Sequence, residues 1–210
     1  MSLAGVRARI EAACAAAGRS PGDITLVVVS KGRSPSAIQA LYEAGQRDFG
    51  ENRAQELAAK APELPGDIRW HFVGPLQRNK VSTVRPLVVM LHSLDRRRLA
   101  AAWARDGDAP PALLEVNLAG EPQKHGFAPA EAAAAATDVI ELGVDLHGVM
   151  AIPPQGEPAL PYFEALVELR DALAEVHPTM TVVSAGMTDD FEQAIRAGAT
   201  TIRVGRAIFD

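Results

Sequence analysis

Ile24-Thr-Leu-Val-Val-Val-Ser30, followed at once by Lys31, is the stretch that decides the fold. It reads as a buried strand with a polar end, and the residues after it, 35–44, read as a helix stopped by Gly45. The same unit recurs along the chain. Strands are expected at 24–30, 47–50, 69–74, 87–92, 112–118, 146–152, 181–185 and 200–205. Helical segments follow at 35–44, 51–61, near 76–81, 96–105, 129–142, 160–176 and 190–197, and the chain turns towards a helix again after Gly205. An extra N-terminal helix, 2–17, precedes them and ends at Gly18 before Pro21. Strands that alternate with helices pair in parallel through right-handed crossovers. Eight such units close a (β/α)8 TIM barrel, here a single α/β domain over residues 1–210. A doubly wound open sheet is the alternative, but the glycine-rich dinucleotide fingerprint is missing: the first strand runs into Ser30-Lys-Gly-Arg-Ser34.

Composition narrows the functions. Apolar residues make up 48% of the 210 and the formal charge is -5, so no basic field draws in nucleic acid or anionic lipid. No apolar run approaches the ~20 residues that span a bilayer. The start, Met1-Ser-Leu-Ala-Gly-Val-Arg-Ala-Arg-Ile-Glu11, puts charges where a signal peptide needs an apolar run. Cys14 is the only cysteine, which excludes an intrachain disulfide and a cysteine zinc cluster. The expectation is a soluble cytoplasmic protein with no nucleic acid or membrane partner. With no large apolar surface evident, a monomer is expected.

In a barrel of this kind the site lies at the C-terminal ends of the strands. Lys31 shares the alternation of Val27 and Val29, so it is expected to project into the mouth, partly desolvated and able to form a Schiff base with an aldehyde or ketone. Ser184-Ala-Gly-Met-Thr188 and Arg203-Val-Gly-Arg-Ala-Ile208 lie after strands seven and eight, the usual phosphate site, with Ser184 and Thr188 adding hydroxyls. Arg203, on the face of Thr201 and Gly205, reads as a buried guanidinium for a phosphate, a carboxylate such as Glu115, or a cofactor ring nitrogen. A lysine with a phosphate cradle on the opposite side of the mouth fits one ligand bearing an aldehyde and a phosphate. Pyridoxal 5'-phosphate (PLP) has both, and a phosphosugar aldolase would present the same pair. His71 and His92 lack a third partner of metal-ligand spacing, so no metal site is expected. Charges at 121–124 and 96–98 read as solvated surface.

Several segments together resemble the pyridoxal phosphate homeostasis protein family. They are Val27-Val-Val-Ser-Lys-Gly32, Gly45-Gln-Arg-Asp-Phe-Gly-Glu-Asn52, Arg69-Trp-His-Phe-Val-Gly-Pro-Leu-Gln-Arg-Asn-Lys80, His92-Ser-Leu-Asp95, Gly148-Val-Met-Ala-Ile-Pro-Pro154, Ser184-Ala-Gly-Met-Thr-Asp-Asp-Phe191 and Arg203-Val-Gly-Arg-Ala-Ile-Phe209. The resemblance spans nearly the whole chain. It implies a barrel like the N-terminal domain of alanine racemase, with PLP bound to Lys31 as a Schiff base. By the same resemblance Ser184 and the backbone at Gly205 and Arg206 hold the phosphate, Arg203 reaches the cofactor, and Asn52 lies beside the ring.

The chain departs from the family pattern in three places. Gly-Arg-Ser-Pro follows the lysine where Thr-Lys-Pro is usual, Ser-Ala-Gly-Met-Thr replaces Ser-Met-Gly-Met-Ser, and Asp210 stands where a short tail after Ile-Phe-Gly is usual. None removes a residue assigned to the cofactor. The family implies a PLP buffer or carrier without established turnover, serving PLP-requiring apo-enzymes. A racemase needs a second acid/base group on the other cofactor face. The only tyrosines, Tyr42 and Tyr162, fall on expected outer helices. A weak PLP-dependent amino-acid racemase and a lysine Schiff-base aldolase are the alternative functions.

Overall fold

Eight strands pair in parallel in chain order, and the last returns to the first. They are β1 (Thr25–Val29), β2 (Asp48–Glu51), β3 (Arg69–Phe72), β4 (Met90–Leu94), β5 (Ala112–Glu115), β6 (Leu146–Met150), β7 (Val182–Ser184) and β8 (Thr201–Val204). This closed barrel excludes the open sheet. The computed structural model describes residues 2–209, so the departure at Asp210 lies outside the described residues. Outside the barrel run α1 (Leu3–Ala16), α2 (Pro35–Glu43), α3 (Ala54–Lys60), α4 (Val81–Val84), α5 (Arg97–Trp103), α6 (Ala132–Glu141), α7 (Leu160–Val176), α8 (Phe191–Ala197) and α9 (Arg206–Phe209). No helix among the described residues is long and apolar enough to cross a membrane.

Local chemistry explains the element ends. The Ser34 hydroxyl accepts from Ala37 N with Pro35 opening α2, an N-cap followed by a residue whose missing N–H costs nothing there. The extra helix α1 is fastened to α8, where the Arg9 guanidinium meets Glu192 at 2.5 Å and lies over the Phe191 ring at 4.6 Å. Arg19 donates to the carbonyls of Ile195 and Ala199, both at 2.7 Å.

The outward face of the sheet is apolar. Val28, Phe49, Trp70, Leu91, Leu114, Val149, Val183 and Ile202 join one buried cluster with the helices. Burial of such side chains stabilises by about 1.5–3 kcal/mol each.

Two strands differ from the sequence reading by three residues at one end, the others by one or two. β4 was expected at 87–92, but Arg85-Pro-Leu87 forms a 3-10 turn and Val89 is 41% exposed, so the strand begins at Met90. An apolar run alone did not separate the strand from its approach. Between Leu91 and Leu94 the pairing with β5 slips, since three steps on β4 match two on β5. This bulge frees two successive residues, His92 and Ser93, from strict alternation. β5, expected to reach residue 118, stops at Glu115. There the chain loops back: Phe127 N donates to Glu115 O at 2.8 Å and Asn117 N to Phe127 O at 2.9 Å.

Candidate functional site

The seat of Lys31 is built from α3. Lys60 is buried, and its ammonium donates to Glu51 Oε1 at 2.6 Å, Glu56 Oε2 at 2.8 Å and Ser30 O at 3.0 Å. Ser30 is buried too, its hydroxyl 3.0 Å from Glu51 Oε1. Gly32 N donates to Glu56 Oε2 at 2.7 Å. The turn at residues 30–32 is therefore held from both sides. The Lys60 and Gly32 hydrogen bonds pull the Glu56 carboxyl down to about 2, so this carboxylate is ionised at neutral pH. Lys31 itself is exposed, and the partial burial expected for it is absent, because the turn carries it clear of β1. Lys60 and Glu51 were missed as site builders. Their signal in the sequence was the i,i+4 spacing of Glu56 and Lys60 in a chain with only four lysines.

Beyond β7 and β8 the backbone is shaped by glycine. Gly186 has φ +90°, and a Cβ there would lie 2.6 Å from the Ala194 Cβ. At Gly205 a Cβ would come within 3.0 Å of Val29 O, so glycine lets the end of β8 lie against β1. α9 starts at Arg206 directly after it, leaving first-turn amides without helical acceptors. Because β8 pairs with β1, this cradle lies beside Lys31 rather than across the mouth from it. Arg206 is exposed and Thr188 half-buried at this rim. Asp190 sits at the N-cap position of α8, and its carboxylate accepts from Met187 N at 2.6 Å.

Inside the barrel a hydrogen-bonded chain crosses from base to mouth. Asp48 accepts from Arg69, whose Nε is 2.8 Å away, and Asp48 Oδ1 is 3.1 Å from His71 Nε2. His71 Nδ1 is 3.0 Å from His92 Nε2, and His92 Nδ1 is 2.8 Å from Ser184 Oγ. Arg203 donates to Ser184 Oγ at 2.5 Å, to Ser184 O at 2.8 Å and to Ala151 O at 3.1 Å. The ends fix the direction. A guanidinium only donates and a carboxylate only accepts. Burial pushes the Asp48 carboxyl up, but the His71 and Arg69 hydrogen bonds outweigh it and hold it below its usual value. Burial, then the neighbouring His71 and Arg203, push His92 well below the usual histidine value, so its ring is neutral.

When His71 carries a single ring proton, as His92 does, one order satisfies every link. Arg203 donates to Ser184, Ser184 to His92, His92 to His71, and His71 to Asp48. In that order the Ser184 hydroxyl donates to His92, while Thr188 has no hydrogen bond among the described residues and is the free hydroxyl of that loop. Arg203 makes hydrogen bonds here and no ion pair with Glu115. Burial lowers its pKa to about 10, which keeps it charged. No three His, Cys, Asp or Glu side chains among the described residues are grouped to hold a metal.

Asn52 follows β2 at the mouth, where its buried Oδ1 has no hydrogen-bond partner. It borders a cavity of about 250 Å³ between the ends of β2 to β6 that also takes in Ser93, Glu115, Asn117, Lys124 and His125. Burial, then Asp95, raise the Glu115 carboxyl to about 7 against the pull of Arg203 and Arg96. Lys124, read from sequence as solvated surface, instead donates to Pro153 O at 3.0 Å and pairs with Glu121 at 2.5 Å, fastening the loop after β5.

The family model described as alanine racemase, N-terminal domain, matches residues 1–210. The chain is 40% identical over 215 residues to a pyridoxal phosphate homeostasis protein of Pseudomonas aeruginosa, covering 99% of this chain and 93% of the relative. Against the protein of the same name from Escherichia coli K12 the identity is 40% over 220 residues, covering 99% and 94%. Among solved structures, PipY of Synechococcus elongatus with PLP bound superposes with a TM-score of 0.82 at 33% identity, covering 96% of this chain and 100% of that one. An unknown protein from Bifidobacterium adolescentis gives a TM-score of 0.92 at 35% identity, covering 97% and 91%.

Proposed function

We propose, for a chain that belongs to the family of pyridoxal phosphate homeostasis proteins, that Lys31 holds PLP as a Schiff base and that the protein buffers and carries this cofactor. It works in the cytoplasm as a monomer and hands PLP to apo-enzymes that require it. The observation that carries this reading is an exposed primary amine, clamped on its turn, beside a glycine-backed cradle at the end of β8. PipY, at 33% identity over nearly its whole length, has been solved with PLP bound.

The residues fit the group. Lys31 would supply the amine, Ser184, Thr188 and the backbone at Gly205 and Arg206 would hold the phosphate, and Arg203 and Asn52 would lie by the ring. PLP brings an aldehyde that condenses with an amine by loss of water. Arg203, charged and fixed by Ser184 and Ala151 O, would keep a ring nitrogen placed against it unprotonated, since two donors would clash. A racemase reading needs a second base. The hydroxyl of Tyr42 on α2 donates to Asp67 at 2.6 Å, and that of Tyr162 on α7 to Glu157 at 2.5 Å. Both tyrosines are engaged on the outer ring of helices.

The test is the absorbance of purified protein with added PLP, beside a Lys31→Ala variant. A visible imine band in the wild type that the variant lacks supports attachment at Lys31. The same band in both proteins, or in neither with excess PLP, overturns it. Amino acids added to the loaded protein separate carrier from enzyme, since turnover to product would overturn the carrier.

A further inference from the structure

The cavity between the ends of β2 to β6 has an unequal supply of hydrogen-bonding groups. Most donors on its wall are spent on the protein. The Ser93 hydroxyl donates to Gly74 O at 2.6 Å. Asn117 is saturated by its own loop: its Nδ2 donates to Glu121 O at 2.9 Å and its Oδ1 accepts from Glu121 N at 3.2 Å. Lys124 is taken up by Pro153 O and the Glu121 carboxylate, and Gln123 Nε2 donates to Glu121 Oε1 at 3.0 Å. His125 turns its Nδ1 towards Asp95 at 3.4 Å and is 61% exposed.

The one acidic group of the wall is left without a partner. The carboxylate of Glu115, on the inner face of β5, makes no hydrogen bond or ion pair among the described residues, although Arg203 lies close enough to act on it through space. Asn52 Oδ1 is buried and unsatisfied. A buried acceptor left open costs about 1–3 kcal/mol, a cost recovered when a ligand donates to it.

We infer that this cavity binds a small cationic amine, with Glu115 as its counter-ion. The size agrees: about 250 Å³ is below the ~300–1,000 Å³ of sites for drug-sized ligands, so the ligand has few heavy atoms. Val73, Pro75, Val116 and Ile152 line the rest, which suits a short carbon chain behind the ammonium. Nothing in this assignment requires PLP on Lys31.

The probes are ethylammonium, acetate and neutral acetamide, each titrated into the cofactor-free full chain and followed by saturation-transfer NMR. Saturable binding of ethylammonium, with acetate and acetamide each about tenfold weaker or absent, is expected. Glu115→Gln should weaken ethylammonium about tenfold, and Glu115→Asp should restore part of that loss. Equal binding of all three probes, no saturable ethylammonium binding, or unchanged binding in a folded Glu115→Gln protein would each overturn the inference. The wild-type probe comparison decides the matter even if the variant fails to fold. Because the titration is made without PLP, failure here is distinguishable from failure of cofactor attachment at Lys31.

Discussion

On its outer face the barrel sheet presents Val28, Phe49, Trp70, Leu91, Leu114, Val149 and Ile202 to the helices, whereas its inner face carries Asp48, His71, His92, Glu115, Ser184 and Arg203. Both faces are largely shielded from water. The outer one is held by area and shape, which tolerate exchange of one apolar residue for another of like volume. The inner one is held by hydrogen bonds that must all be made, because a buried polar group without a partner is costly. Apolar burial therefore carries most of the stability, and the polar interior sets proton positions and charge where a ligand would sit.

The contrast breaks most visibly at Phe49, fully buried and tilted against Trp70 with ring centroids 5.9 Å apart. Phe49→Ala should cost about 3–5 kcal/mol of unfolding free energy in urea titration. Next comes the buried ion pair under Lys31. Lys60→Met removes the counter-ion of the buried Glu51 and should cost about 3 kcal/mol, with weaker PLP uptake by absorbance. The double variant Lys60→Met with Glu51→Gln should recover part of that stability, since the unpaired carboxyl is gone. A double variant no more stable than the single one would mean that packing, not charge, is what Lys60 supplies.

The interior should also show itself in pH dependence, with two opposed slopes. Glu115 is raised in the folded chain to about 7 from 4.5, so its contribution is complete below the unfolded value and is lost as pH rises through about 7, by on the order of 3 kcal/mol. His92 is depressed, so its contribution is present above the unfolded value of 6.5 and is lost as pH falls below it. Denaturation midpoints between pH 5 and 8 should vary little in the wild type, and in Glu115→Gln they should fall steadily towards acid. The smallest expected effect, about 1–2 kcal/mol, is that of Ser184→Ala, which removes the link between His92 and Arg203. Histidine ring-nitrogen NMR should show both rings as the Nε2–H tautomer in the wild type, with His92 losing that definition in the variant.

The fold was legible because its signal repeats. Eight strand–helix units left one closed arrangement, and the segment ending at Lys31 showed where the mouth lies. Boundaries were less legible where one chemistry served two roles, as at Leu87-Val-Val-Met-Leu91, whose first residues are turn and approach. Lys31 and Arg203 announce themselves by residue type at strand ends. The clamp of Lys60, Glu51 and Glu56 does not, because its partners meet only after α3 folds back over β1 and β2. The placing of the cradle beside the lysine likewise depends on closure, which brings the first and last strands together. Proton order in the interior needs distances, and no spacing along the chain encodes them.

The slip in β4 has a consequence for how this protein tolerates deletions. With one residue fewer between Leu91 and Leu94, β4 and β5 would run in step, and strict alternation would leave a single inward position where there are now two. The shortened strand could still close the barrel, yet it would have to give up either the imidazole bonded to Ser184 or the hydroxyl that caps Gly74 O. A one-residue gap here would thus be silent to the architecture and loud to the interior.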